Sequence, residues 1–410
     1  MSPPTFPVPK VLFTPEFVQD PYPTYRKLLE EGPLHYVEVS GGMWAVWAVF
    51  GYADCFAATR DARFSVKRTG RLLLTLPQEQ QTEFQELVRM MGMWMIFMDA
   101  PEHTRLRKLM NKGFSPGVVE ALRPQIEAVV DRMLEPLARE SEADLMAAVA
   151  NPMPVQVIAR MLGVPERMYA HFMEWSEAIA NFMGNPDRTA NHARVAQEAV
   201  LALTDFFRKA VAERRRNKGD DLISLLIDIE ADGEVLSEEE LYAQCLMLLF
   251  AGHETTRNLV GNGIWALLQN PEETRELREN PEIIRTAVEE LLRFESPIQY
   301  TARIVKDEAE ICATRLRRGQ TILCMLGAAN RDAQQFKEPD RLNLKRANNQ
   351  HLAFGAGAHF CIGNQLARLE GQAAILRMVQ RFPEMRMAKQ RPEWAPNFGF
   401  RGLKKLPVVL

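Results

Sequence analysis

Residues 237–269 constrain what this chain can fold into more than any other stretch of its sequence. Ser237 and Glu240 make a capping box, an apolar run follows, and Asn270-Pro271 supplies the stop. At 1.5 Å per residue such a helix is on the order of 45 to 50 Å long, enough to cross a globule made of the whole chain. The 410 residues are therefore expected to form one domain, 1–410, around it, whereas length alone suggests two or three. Three more helices carry similar signals: one opening near Pro101, one from Asn280-Pro281 to about Phe294, and one from just after Cys361 to about Arg381. Strand-like runs are few and short, at 43–50, 303–311, 321–326 and 406–410. The expected fold class is mainly α with small β-sheets.

Composition excludes several functions. Lysine plus arginine (50) nearly cancel aspartate plus glutamate (53), which leaves no basic stripe for nucleic acid. No stretch reaches the ~18 uncharged apolar residues of a membrane span, and residues 1–10 are proline-rich without the basic and apolar regions of a secretory leader. The cysteines, Cys55, Cys245, Cys312, Cys324 and Cys361, are odd in number and contain no C-x-x-C, which argues against a disulfide framework and a zinc ribbon. A cytoplasmic protein without nucleic-acid or membrane partners is expected.

The segment Phe354-Gly355-Ala356-Gly357-Ala358-His359-Phe360-Cys361-Ile362-Gly363 runs straight into a helix. Two glycines before the cysteine permit a tight loop, and Gly363 after it keeps side chains off the sulfur. A helix N-terminus favours thiolate there, suited to holding a metal through one protein bond; the cysteine alone would read as a buried structural thiol. Within the long helix, Ala251-Gly252-His253-Glu254-Thr255-Thr256 interrupts an apolar stretch. Gly costs about 1 kcal/mol against Ala in a helix interior, so something offsets it. Gly252 would let a flat cofactor or small ligand approach the backbone, and the adjacent acid and alcohol, Glu254 and Thr255, make a short proton relay. Without the cysteine loop they read equally as a polar patch satisfied by neighbouring helices. Glu290 and Arg293 share a helical face at i, i+3, which by itself is an ordinary ion pair.

The ten-residue cysteine pattern resembles the haem-binding loop of the cytochrome P-450 family, and the likeness covers essentially the whole chain. Asp20-Pro21-Tyr22 and Gly32-Pro33 look like the family's N-terminal pattern, Glu290-Leu291-Leu292-Arg293 like its E-x-x-R, and Ala329-Asn330-Arg331-Asp332 with Pro339-Asp340-Arg341-Leu342 fall where it has its meander. The resemblance implies that fold, with the long helix over haem b and the cysteine loop on the opposite face. It implies Cys361 as the iron ligand, with Phe354, Gly355, Gly363 and Ala251 as further cofactor contacts. His103, Arg107, Arg303 and His359 match positions that contact the propionates, and Glu290, Arg293 and Arg341 match structural supports of the haem pocket. Glu254 and Thr255 match the pair that delivers protons during dioxygen activation, and an intact pair favours O2 over direct use of hydrogen peroxide.

Met90, Met91, Met93, Met95 and Met98 crowd beside Trp94, Ile96 and Phe97 where the family places its variable substrate loop. Flexible thioethers suit a large apolar ligand, although methionine stripes are commonly core. Met183, Leu248, Ala251, Ile298, Gln299 and Phe398 are further pocket candidates by resemblance. Few of these positions are charged, which points to a largely apolar substrate such as a polyketide, terpenoid or fatty-acyl compound. The chain ends at Leu410, too soon after Cys361 for a fused flavin domain. Electrons are therefore expected from a separate ferredoxin or flavodoxin and an NAD(P)H-dependent reductase. Arg105, Lys108, Lys112, Lys345, Arg346 and Arg368 are candidates for the docking face. The implied reaction is hydroxylation or epoxidation; desaturation or oxidative coupling would use the same machinery, and a non-catalytic haem sensor or carrier is the reading from another class.

Overall fold

The computed structural model describes residues 12, 14–39, 44–74, 76–185, 188–231, 236–389 and 392–410. Six helices and five strands position the site. They are β1 (Leu34–Val39), β2 (Trp44–Val49), β3 (Phe64–Ser65), α1 (Glu102–Gly113), α2 (Tyr169–Gly184), α3 (Ala190–Arg216), α4 (Glu238–Gln269), α5 (Ile284–Phe294), β4 (Thr301–Val305), β5 (Thr321–Cys324) and α6 (Asn364–Arg381).

The long helix forms as its sequence dictates. Ser237 Oγ accepts from the Glu240 N–H at 3.2 Å, and Glu240 Oε2 accepts from the Ser237 N–H at 2.9 Å. From Leu241 onward α4 is buried on nearly every side, packed by α2, α3, α5, α6 and the helix Pro152–Met161. A helix apolar all round belongs in the middle of a protein. Two of its buried polar side chains find backbone: Gln244 donates to Met93 O at 2.6 Å and Asn262 to Arg401 O at 2.9 Å.

The largest sheet runs in the order β1-β2-β5-β4-β3. β2 and β5 are parallel, with Trp47 opposite Ile322, and the other pairs are antiparallel. The strand expected at 43–50 is β2, with Met43 outside the described residues; β1, with which it pairs, carries no clear sequence signal. The run 303–311 is two strands: β4 ends at Val305, and Ala309–Ile311 pairs with Thr314–Leu316 in a separate hairpin. Cys312 and Ala313, at φ 50° and 55°, make the two-residue turn with both central residues left-handed that such hairpins favour. The C-terminal strand-like run is Pro407–Val409. Residues 1–10 lie outside the described residues, and among the described residues no helix is long and apolar enough to cross a membrane.

Candidate active site

α4, α1, the sheet and the cysteine loop enclose a cavity of about 2270 Å³, its open mouth included. Phe354, Gly355, His359, Cys361 and Gly363 line it on one side, and Ala251, Gly252, Thr255 and Thr256 of α4 also line it. Gly355 and Gly357 adopt φ of 70° and 71°, and a Cβ on Gly357 would sit 3.0 Å from Thr59 O, so the loop needs glycine there. Cys361 N–H donates to Phe354 O at 2.9 Å, which closes the loop. A Cβ on Gly363 would meet nothing within 4 Å. Gly252 has a packing reason as well, since a Cβ there would come within 3.3 Å of Ile158.

The expected electrostatics of Cys361 need correction. α6 starts only at Asn364, with Gly363 as its cap. Burial pushes the Cys361 thiol up, and the Gly363 N–H, Arg107 and Arg368 draw it back only in part. At this thiol the pull of the helix end is therefore opposed by burial.

His103, Arg107, Arg303 and His359 all line the cavity. The two imidazoles lie 4.0 Å apart, centroid to centroid, and His103 Nε2 is buried without a protein partner among the described residues. Burial, reinforced by His103, Arg303 and Arg68, holds His359 down to about 3, and burial with Arg107 lowers His103. Both rings are thus neutral at neutral pH, and the positive charge rests on Arg107 and Arg303. Neutral donors, two guanidiniums and a bare glycine-lined thiol suit a flat metallated macrocycle bearing two carboxylates.

On α4, Thr255 Oγ1 donates to Ala251 O at 2.8 Å and faces the cavity. Glu254 does not line it. Its carboxylate lies 3.3 Å from both Arg257 Nε and Asn258 Nδ2. Burial raises its pKa against the pull of Arg257, and Oε2 has no partner among the described residues. The acid and alcohol adjacent in sequence therefore point to different sides of the helix. A second acid and alcohol do reach the cavity wall: Glu370 of α6, raised well above the carboxylate range by burial and drawn back by nearby Thr256, lines it with Thr256, its Oε2 without a partner among the described residues. Its sequence signal was an acid on the apolar face of α6, one turn beyond Leu366.

Glu290 and Arg293 are completely buried and doubly bonded, Nε and Nη2 each donating at 2.8 Å. The third partner is Arg346, not Arg341. Arg346 Nε lies 3.1 and 3.0 Å from the two Glu290 oxygens, and its side chain is 10 % exposed. Arg341 points outward, 69 % exposed, toward Glu338 at 3.7 Å. Only its backbone carbonyl joins the network, accepting from Arg293 and Arg346.

Met95, Met183, Leu248, Ala251 and Ile298 line the cavity. Met90, Met91, Met93 and Met98 do not. Met90 and Met91 fill the main core, and Met93 and Met98 pack against it, because Gln244 pins this stretch through Met93 O and Met95 N. Gln299 and Phe398 are also displaced from the cavity: Gln299 accepts from Tyr25 O–H at 2.8 Å, and Phe398 stacks on Tyr300 beside Phe17. Three arginines that the sequence did not single out, Arg68, Arg71 and Arg188, do line it; Arg68 and Arg188 lie in connections and Arg71 in a single 3-10 turn, all too short for periodicity to mark a face. Among the docking candidates, Arg346 is consumed by Glu290. Arg105 pairs with Glu240, Lys345 with Glu276, and Arg368 with Glu289 at 2.6 Å.

Comparison with known proteins agrees with this geometry. The Cytochrome P450 family model matches residues 77–405. The chain is 36 % identical over 409 residues to the polyketide biosynthesis cytochrome P450 PksS of Bacillus subtilis (strain 168), covering 98 % of this chain and 99 % of that one. It is 37 % identical over 399 residues to the cytochrome P450 monooxygenase PikC of Streptomyces venezuelae, covering 96 % and 92 %. Among solved structures, P450BioI in complex with hexadec-9Z-enoic acid ligated acyl carrier protein superposes with a TM-score of 0.89 at 36 % identity, covering 96 % of this chain and 100 % of that one. With a glycine-lined cysteine loop facing the middle of the long helix and relatives matched from end to end, the chain belongs to the cytochrome P450 family and is a haem b-dependent monooxygenase.

Proposed function

We propose that this chain hydroxylates or epoxidises a sizeable, mainly apolar carbon skeleton of the polyketide or fatty-acyl kind, using O2 and electrons from a separate ferredoxin or flavodoxin and its NAD(P)H-dependent reductase. The observation that carries the reading is Cys361, on a glycine-containing loop, lining one cavity with Thr255 and the cationic pair Arg107 and Arg303. The substrate class is supported by two relatives, PksS, named for polyketide biosynthesis, and P450BioI, solved in complex with a fatty-acid ligated acyl carrier protein.

Haem b supplies the oxygen-activating iron and its electronic tuning when bound. In this reading Cys361 Sγ would hold the iron, and Arg107, Arg303, His103 and His359 would hold the propionates. Thr255 Oγ1 orders protons at the cavity face of α4. Glu254 lies behind it on another side of α4, its pKa raised by burial against the pull of Arg257. The apolar walls exclude bulk water and orient the substrate. We also read 1–410 as one domain, since α4 is packed by helices from both halves of the chain. Five free cysteines fit a reducing compartment such as the cytoplasm.

Cys361→Ser tests the assignment. The wild-type holoprotein is expected to show the red-shifted ferrous-CO absorption of thiolate ligation and the variant to lose it; the same band in the variant would remove Cys361 as the ligand.

A further inference from the structure

The cavity wall carries more positive charge than an apolar substrate requires. Arg71 is satisfied by Thr321 Oγ1 and Gly319 O. Arg188, between α2 and α3, is anchored by Nε to Phe182 O at 2.6 Å and by Nη2 to Met183 O at 2.7 Å. Arg68 is different. Its guanidinium lies 4.7 Å over the Phe97 ring, and Nη1 makes one long bond, 3.3 Å, to Val66 O. Among the described residues no carboxylate pairs with it. Asp99, the acid of this region, is engaged by Ser65 Oγ at 2.6 Å and by the Val66 N–H at 3.0 Å. Burial and repulsion from Arg303 and Arg188 hold Arg68 down to about 9, with slight relief from Tyr300. It is therefore still a cation at neutral pH, and it shares this corner with Arg303 and His359 as well as Arg188 and Tyr300.

Charge accounting sharpens the point. Haem b brings two propionates, matched in number by Arg107 and Arg303, with neutral His103 and His359 as added donors. Arg68 is left over. A half-buried guanidinium with several open N–H donors on a cavity wall is placed to receive an anion. Among the described residues no carboxylate meets it, which leaves that place to a ligand.

We infer that Arg68, flanked by Arg188 and Tyr300, is an anion subsite of the substrate cavity, and that the substrate is an amphiphile with a free carboxylate at the end of its apolar skeleton. The carboxylate docks on Arg68, and the chain lies along Phe97, Leu248 and Met183. This deepens the haem-thiolate monooxygenase reading and rests on it for where the skeleton meets the reacting centre.

The test uses the holoenzyme with dodecanoic acid and methyl dodecanoate as probes, followed by the low-spin to high-spin absorption change and, independently, by calorimetric titration. The acid should bind about tenfold or more tighter than the ester. Arg68→Leu should erase that preference by weakening the acid while leaving the ester, the haem content per chain and the ferrous-CO band unchanged, and Arg68→Lys should restore part of it. Equal affinity for acid and ester, binding of neither, or a Leu variant that loses haem yet keeps the preference would each overturn the subsite, the last by placing Arg68 on a propionate. A wild-type protein without the ferrous-CO band but with calorimetric acid preference would overturn the haem-thiolate reading and leave the subsite standing.

Discussion

Thr255 shows what a single residue contributes and what a sequence can say about it. Its hydroxyl faces the cavity and donates back to Ala251 O at 2.8 Å, where it can turn to order a proton. Thr255→Ala removes that hydroxyl and little bulk, so haem content should hold. Product formed per reducing equivalent should fall about tenfold or more, the remainder appearing as peroxide or water. Fully coupled turnover, measured as product against NAD(P)H consumed, would take Thr255 out of proton delivery. Adjacency of Glu254 and Thr255 was readable in the sequence, but facing was not, because neighbouring residues on a helix point ~100° apart. Glu254 accordingly sits behind the cavity wall with Arg257 and Asn258. The acid and alcohol that do line the wall, Glu370 and Thr256, come from two helices distant in sequence. The same limit hid Arg68, whose neighbours Arg303 and Arg188 lie more than a hundred residues away in the chain.

At the scale of elements, signals that depend on a few consecutive residues were legible and signals that depend on partners were not. Ser237, Glu240 and Asn270 were enough to bound α4, since a capping box satisfies orphan N–H groups locally. Because that box is exposed while the rest of α4 is buried, Ser237→Ala should cost about 1 kcal/mol, seen as a lower urea midpoint with an unchanged slope, and leave the cavity intact. No shift in the midpoint would mean that Arg105 and Arg89, which pair with Glu240 and Glu239, already hold this end of the helix. The stretch around Met90 to Met98 was legible as apolar, yet which methionines face the ligand was set by Gln244 on α4, whose two bonds at Met93 and Met95 fix the local register. Likewise the apolar alternation of 303–311 concealed a strand break, because Val305 and Ile311 find different partner strands.

For the whole molecule, the decisive structure is the polar core joining α5 to the loop that carries Cys361. Glu290 collects Arg293, Arg346, the Asn343 N–H at 3.0 Å and Asn349 Nδ2 at 3.0 Å. Arg293 passes the connection to Asn330 O at 2.8 Å. Asn330 Oδ1 accepts from the Leu352 N–H at 2.6 Å, just ahead of Phe354, whose carbonyl closes the cysteine loop. The E-x-x-R motif made two members of this network legible, but three arginines, Arg331, Arg341 and Arg346, stand close together in the meander, and only folding decides which one reaches Glu290. Removing one partner from a buried charge cluster costs about 3–5 kcal/mol, whereas trimming an exposed side chain changes stability by about 0.5 kcal/mol or less. Arg346→Ala should therefore lower the unfolding free energy by about 3 kcal/mol and release haem readily, because the loop that presents Cys361 loses its anchor on Glu290. Arg341→Ala, which keeps the backbone carbonyl that Arg293 and Arg346 use, should match the parent in urea unfolding and in haem retained after gel filtration. The reverse order, with Arg341→Ala the damaging change, would mean that the meander arginine facing Glu290 has been misassigned.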